Sequence, residues 1–171
     1  VRKREAAIAT IETLGGDVRF DEAQPFRPTW LRPILGDKSP GEVVVGDVDE
    51  NKVTDDDIAH VAGFTKLERL DLIGCTEVTD AGLLHLAGCA KLKCLLLTNT
   101  QVTDQDLSHL NCLTNLKWLY LNGTQVTDAG LVRLAGMTSL KHLCLTRTKI
   151  ELPDQGVSEL EKALPTISIW K

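Results

Sequence analysis

Cys144 and His142 stand two residues apart in the stretch KHLCL. A thiol beside an imidazole can form a nucleophile, because the ring takes the thiol proton and leaves a thiolate. Side chains at i and i+2 of a strand share a face but splay apart. No orienting group for the imidazole and no oxyanion site are identifiable, so catalysis ranks third among the readings below. His60, His85 and His109 form a second set, at intervals of 25 and 24 residues. A metal needs ligand nitrogens about 2.0–2.1 Å from one ion. Positions one repeat apart are too far from each other for that, no third ligand is evident, and Arg133 continues the column. Asp80, Asp104 and Asp128 form a third set, again 24 residues apart. Paired catalytic acids need unequal environments, which a repeated position does not supply. Helix capping accounts for each aspartate locally. Gly15-Gly16 lacks the context of a phosphate loop. No catalytic residue, metal or cofactor is therefore expected.

The regular intervals imply repeating elements. Leu67, Leu92, Leu116 and Leu140 open four copies spaced by 25, 24 and 24 residues. Each continues with leucines three and five places on, as at Leu116, Leu119 and Leu121. Three of them then carry Val-Thr-Asp at one phase, at Val78, Val102 and Val126. The LxxLxL stretch alternates as a short strand does. The Val-Thr-Asp reads as a turn into a helix, with a Thr or Asp oxygen accepting from free N–H groups of the first turn. One such unit cannot bury its apolar face alone, but stacked units bury a continuous core. Degenerate copies flank the four. Val43 and Val48 fit upstream, with Gly46 where a leucine is expected, and Leu164, Ile167 and Ile169 fall 24 residues after Leu140, Leu143 and Leu145. In the fourth copy Glu151-Leu152-Pro153 interrupts the pattern and Asp154 is the expected N-cap.

On these residues the chain resembles leucine-rich repeat proteins. The copy from Leu67 to Lys91, with Cys75 and Cys89, looks like the cysteine-containing subtype. The later copies place Thr100, Thr124 and Thr148 where Cys75 sits and look like the bacterial 24-residue variant. The resemblance covers roughly residues 43–170. It implies an α/β solenoid, right-handed, with a parallel sheet on the concave face and short helices on the convex face. It also implies a binding scaffold whose concave sheet is the contact surface. No F-box-like segment is evident, so a ubiquitin-adaptor role is not supported.

The third and fifth positions of LxxLxL point away from the core and line the concave surface. The third column reads Val45, Arg69, Cys94, Trp118, His142 and Thr166, and the fifth reads Asp47, Asp71, Leu96, Tyr120, Cys144 and Ser168. Neighbouring strands lie about 4.8 Å apart, so these residues form one patch. Its expected contacts are Arg69, Asp71, Cys94, Leu96, Trp118, Tyr120, His142 and Cys144. An apolar aromatic centre with a charged edge suits a protein partner. Two other readings stay open for Trp118 and Tyr120: packing on each other across strands, and cover by a second copy of the chain.

A solenoid needs covered ends. Residues 1–42 are the expected N-terminal cap and residues 43–171 the repeats, about five units. The cap would comprise an Arg2–Leu14 helix, a strand at Val18–Phe20 and a plug from Trp30 to Leu35. Trp170 is expected to help close the other end; Trp30 and Trp170 serve otherwise as ligand contacts. The net charge of -5 and pI of about 5.4 offer no basic field for nucleic acid. No run of about 18 apolar residues is present to span a membrane. The five cysteines are odd in number and lack CxxC spacing, which favours free thiols and a cytoplasmic setting. The chain begins at Val1 rather than Met, which leaves room for a removed leader or anchor. The expected function is non-catalytic protein binding; the alternative is a structural or self-associating spacer within a larger, membrane-anchored protein.

Overall fold

A computed structural model describes residues 17–19, 42–44, 53–61, 67–105, 107–151 and 154–171, with 17–19, 42–44, 60 and 61 described by backbone alone. The expected Arg2–Leu14 helix and Trp30–Leu35 plug lie outside the described residues.

One central unit shows how the sequence builds the fold. Leu116, Leu119 and Leu121 are fully buried, and the strand Trp118–Tyr120 lies among them. Gly123 then takes a left-handed conformation (φ 67°), as do Gly74, Asn99 and Arg147 at the same turn of the other copies. The buried Thr124 hydroxyl donates to the Leu121 carbonyl at 2.6 Å, and Thr100 and Thr148 repeat this bond to Leu97 and Leu145 at 2.7 Å. Thr127 caps the next helix, its oxygen accepting from the Ala129 N–H at 3.2 Å. That helix, Asp128–Leu131, tightens into a 3-10 turn, Val132–Gly136. Leu131 and Leu134 close the core, and the chain returns to Leu140.

Among the described residues, seven strands form one sheet in chain order: β1 (Asp17–Arg19), β2 (Glu42–Val44), β3 (Arg69–Asp71), β4 (Cys94–Leu96), β5 (Trp118–Tyr120), β6 (His142–Cys144) and β7 (Ser168–Trp170). β1 is antiparallel to β2, and every later pair is parallel. The helices between them are α1 (Asp55–Val61), α2 (Asp80–His85), α3 (Asp128–Leu131) and α4 (Gln155–Ala163), with a 3-10 helix Leu107–Cys112 between β4 and β5. The fold is thus the expected α/β repeat solenoid. Cys75 and Cys89 are core residues, and burial pushes the Cys89 thiol up to about 11.

The aspartate column ties repeats together rather than capping its own helices. Asp55 accepts from the Thr79 N–H at 2.8 Å and from its hydroxyl at 2.6 Å. Asp80 does the same for Thr103 at 2.8 and 2.6 Å, and Asp104 for Thr127 at 2.8 and 2.5 Å. Thr79 and Thr127 are the helix caps, and each carboxylate fastens its own repeat to the next. These bonds have a charged acceptor and short distances, the strong class of hydrogen bond. A Cβ at Gly82 or Gly130 would collide with the Asp55 or Asp104 carboxylate, so the ladder itself demands those glycines. The copy with Asp106 at the glycine place has only the 3-10 helix among its described residues.

Both ends depart from the expected register. Val43 lies opposite Leu70 and Val44 opposite Asp71, so Glu42 and Val44, not Val45 and Asp47, continue the concave rows. Gly46, expected in a leucine place, lies outside the described residues. At the other end, Glu151 stands in the threonine column and offers no hydroxyl. Asp128 turns to the N–H groups of Gly156, at 3.0 Å, and Glu151, at 3.3 Å. Val157 and Leu160 take the places that Leu131 and Leu134 hold, 26 residues on rather than 24. The shift carries into β7, where Ser168 pairs with His142 and Trp170 with Cys144. Ile167 and Ile169 therefore do not fall in the rows of Leu143 and Leu145: Ile169 lies opposite Leu143. Asp154 is the N-cap residue of α4, but its carboxylate pairs with Lys171 rather than with the helix.

Candidate functional site: the concave aromatic face

Strand alternation sends Leu95, Leu119 and Leu143 into the core and leaves their neighbours on the open face. The register then sets two rows. Arg69, Cys94, Trp118, His142 and Ser168 form one; Asp71, Leu96, Tyr120, Cys144 and Trp170 form the other. All eight residues expected on this face lie on it, and Trp170 joins them. Trp170 was expected to close the end of the stack, yet the two-residue register shift carries it onto the concave face. The 26-residue spacing from Gly130 to Gly156 was the sequence signal that could have placed it.

The patch has a floor and a crest. Asp71, Cys94, Leu96 and Cys144 are buried and form the floor. Trp118 is 37% exposed and Trp170 48% exposed, with Tyr120, His142 and Arg69 half-buried beside them. The crest is ordered by stacking. The His142 ring lies 5.7 Å from Trp118 and 5.3 Å from Trp170, with planes 8° and 9° from parallel. Trp118 and His142 follow from neighbouring positions in one row; Trp170 reaches His142 from the adjacent row. The His142 Nδ1 is buried and has no hydrogen-bond partner among the described residues. The ring serves as a filler between two indoles, worth about 0.5–1.5 kcal/mol per aromatic contact beyond area alone.

The charged edge is paired within itself. Asp71 accepts from the Ile73 N–H at 3.2 Å and faces the Arg69 guanidinium at 3.5 Å. Burial raises the Asp71 carboxyl above its ordinary value, with Ile73 and Arg69 opposing. Arg69 also donates to the Cys94 sulfur at 3.5 Å. Burial likewise raises Tyr120, with Cys94 and Cys144 adding to the rise and Arg69 opposing. Burial raises the Cys144 thiol as well, which disfavours the thiolate that a Cys144–His142 nucleophile needs. Of the histidine column, His85 is exposed and His109 half-buried, while the His60 side chain lies outside the described residues. Among the described residues no three His, Cys, Asp or Glu side chains converge on a metal position.

Solved structures share this architecture. An internalin C2 from Listeria monocytogenes is 31% identical over 65% of this chain and 44% of its own, with a TM-score of 0.51. The chain is a leucine-rich repeat protein. A leucine-rich repeat protein from Leptospira interrogans, 20% identical, matches 65% of this chain and 27% of its own at a TM-score of 0.53. This leucine-rich repeat chain thus spans less than half the length of either relative. No family model and no curated protein matches it. Among its described residues, no helix is long and apolar enough to cross a membrane.

Proposed function

We propose that this leucine-rich repeat protein is a non-catalytic module that binds a protein partner through its concave sheet. The observation that carries the reading is the Trp118–His142–Trp170 stack, set on three neighbouring strands with both indoles open to solvent. Aromatic side chains bury about 150–250 Å² each and lead among residues that dominate interface energy. Their stacking in the free protein means little rotamer freedom remains to be lost on binding. The buried floor of Cys94, Leu96 and Cys144 keeps the crest in place, and Arg69 and Tyr120 supply polar contacts at its margin.

The test is affinity capture from the source organism's lysate, with wild type beside a Trp118→Ala/Tyr120→Ala variant matched for thermal unfolding. A protein retained by wild type and lost by the variant supports the reading. Equal capture by both removes the concave face from consideration. Sedimentation over a range of concentrations separates the self-association alternative: a mass that doubles and reverts in the same variant would assign the face to a second copy.

A further inference from the structure

The rim of the concave face carries a sign of charge opposite to that of the whole chain. Glu68, Lys93, Lys117 and Lys141 each directly precede a strand, β3 to β6, beside the first concave row. The Lys93 and Lys141 side chains reach along the stack to the neighbouring repeat. Lys93 pairs with Glu68 at 2.8 Å, and Lys141 donates to the Thr166 hydroxyl at 2.8 Å. Lys117 and Lys141 have no carboxylate partner among the described residues. Both flank the aromatic stack, directly ahead of Trp118 and His142. The carboxylates nearby are already engaged: Asp71 is buried beside Arg69, and Glu68 holds Lys93. The convex side is different. Asp56 on α1 and Glu159 and Glu161 on α4 are exposed, and the chain as a whole carries -5.

Deepening the protein-binding reading, and resting on it, we propose that the partner presents an acidic segment with apolar anchors. Its apolar side chains sit on Trp118 and Trp170, and its carboxylates run along Lys117 and Lys141. Charge complementarity selects this occupant. A basic segment would meet two ammonium groups with no countercharge, and like charges brought together at an interface are costly. Among the described residues of this rim a nucleic acid would meet two lysines without a carboxylate partner, on a molecule of net charge -5, too few for the phosphate contacts that such binding rests on. The arrangement also sets the approach. The acidic convex side repels the partner while the lysine rim attracts it, which steers encounter toward the concave face.

The experiment is selection of a displayed random peptide library on the full chain, with deep sequencing of the retained peptides. Parallel selections use Lys117→Glu/Lys141→Glu and Trp118→Ala/Trp170→Ala variants, each checked for unchanged unfolding. Wild type should enrich peptides that combine Asp or Glu with aromatic or aliphatic residues. Representative peptides should bind the charge-reversed variant roughly tenfold more weakly, as expected for two rim ion pairs. That variant should enrich basic peptides instead. The same charge preference on wild type and the reversed variant, no charge preference, or no enrichment overturns the proposal. Apolar peptides of any charge that are lost in the tryptophan variant would sink the acidic inference alone. Peptides insensitive to the tryptophan variant would sink the protein-binding reading with it. Heparin or DNA competing better than an acidic peptide would reassign the rim to polyanions and overturn it too.

Discussion

The middle of the solenoid and its C-terminal end are built from one pattern and solve it differently. From Leu67 to Thr148 the period holds, and a carboxylate in each repeat grips the next threonine by two bonds. At Asp128 the grip changes. Glu151 offers only its N–H, and the chain runs 26 residues before β7 re-enters the sheet. The middle is thus locked in register by polar bonds between repeats. The end is set by packing of α4, and its slip delivers Trp170 to the concave face. A lapse in repeat regularity is here the source of the surface feature most suited to recognition.

Core truncation should show the widest difference between these regions. Leu119→Ala, at a fully buried site, should cost about 3 kcal/mol in denaturant unfolding, whereas Ile169→Ala, half-buried on the edge strand, should cost about half that. Equal costs would contradict a looser end. The ladder gives the next contrast. Asp104→Ala strands the Thr127 N–H and hydroxyl and should cost about 2–3 kcal/mol. Asp128→Ala loses two longer bonds to N–H groups and should cost about 1 kcal/mol.

Smaller effects arise at the left-handed turn. Gly123→Ala should destabilise by about 1–2 kcal/mol, since its Cβ would also collide with the Asn99 side chain. Arg147→Gly should stabilise by about 0.5–1 kcal/mol by relieving φ 59° at a residue with a Cβ. Thermal melts of the pair read both signs at once. The smallest effect concerns Asp71. Its folded carboxyl titrates above the unfolded one, so the contribution of its protonated form is full below the ordinary 3.8 and is lost as pH rises through the raised value. Asp71→Asn should therefore compare more favourably with wild type as pH rises across that window, and urea unfolding at several pH values would show it.

Much of this was legible in the sequence. Leucine spacing defined the strands, their faces and the pairing from β3 to β6, because a period of two residues fixes which side chains are buried. The rows holding Cys94, Trp118 and His142 follow from that alone. The end registers were not legible, because degenerate copies were aligned on the 24-residue period rather than on the partners their residues could find. Glu151 in a threonine column was the visible clue. The aspartates were misjudged for a related reason. Capping explains an acid near a helix start within one repeat, whereas the bonds that matter here cross between repeats and need three-dimensional proximity.

One measurement tests the central claim most directly. The partner recovered by capture would be titrated into isotopically labelled protein, and two sets of signals followed by NMR: the Trp118 and Trp170 indole N–H groups on the concave face, and the methyls of exposed Leu84 and Val132 on the helical side. Concave recognition predicts that both indoles shift or broaden at substoichiometric partner while those methyls hold still. Movement of the Leu84 and Val132 methyls with unmoved indoles would contradict it and transfer the binding surface to the convex face.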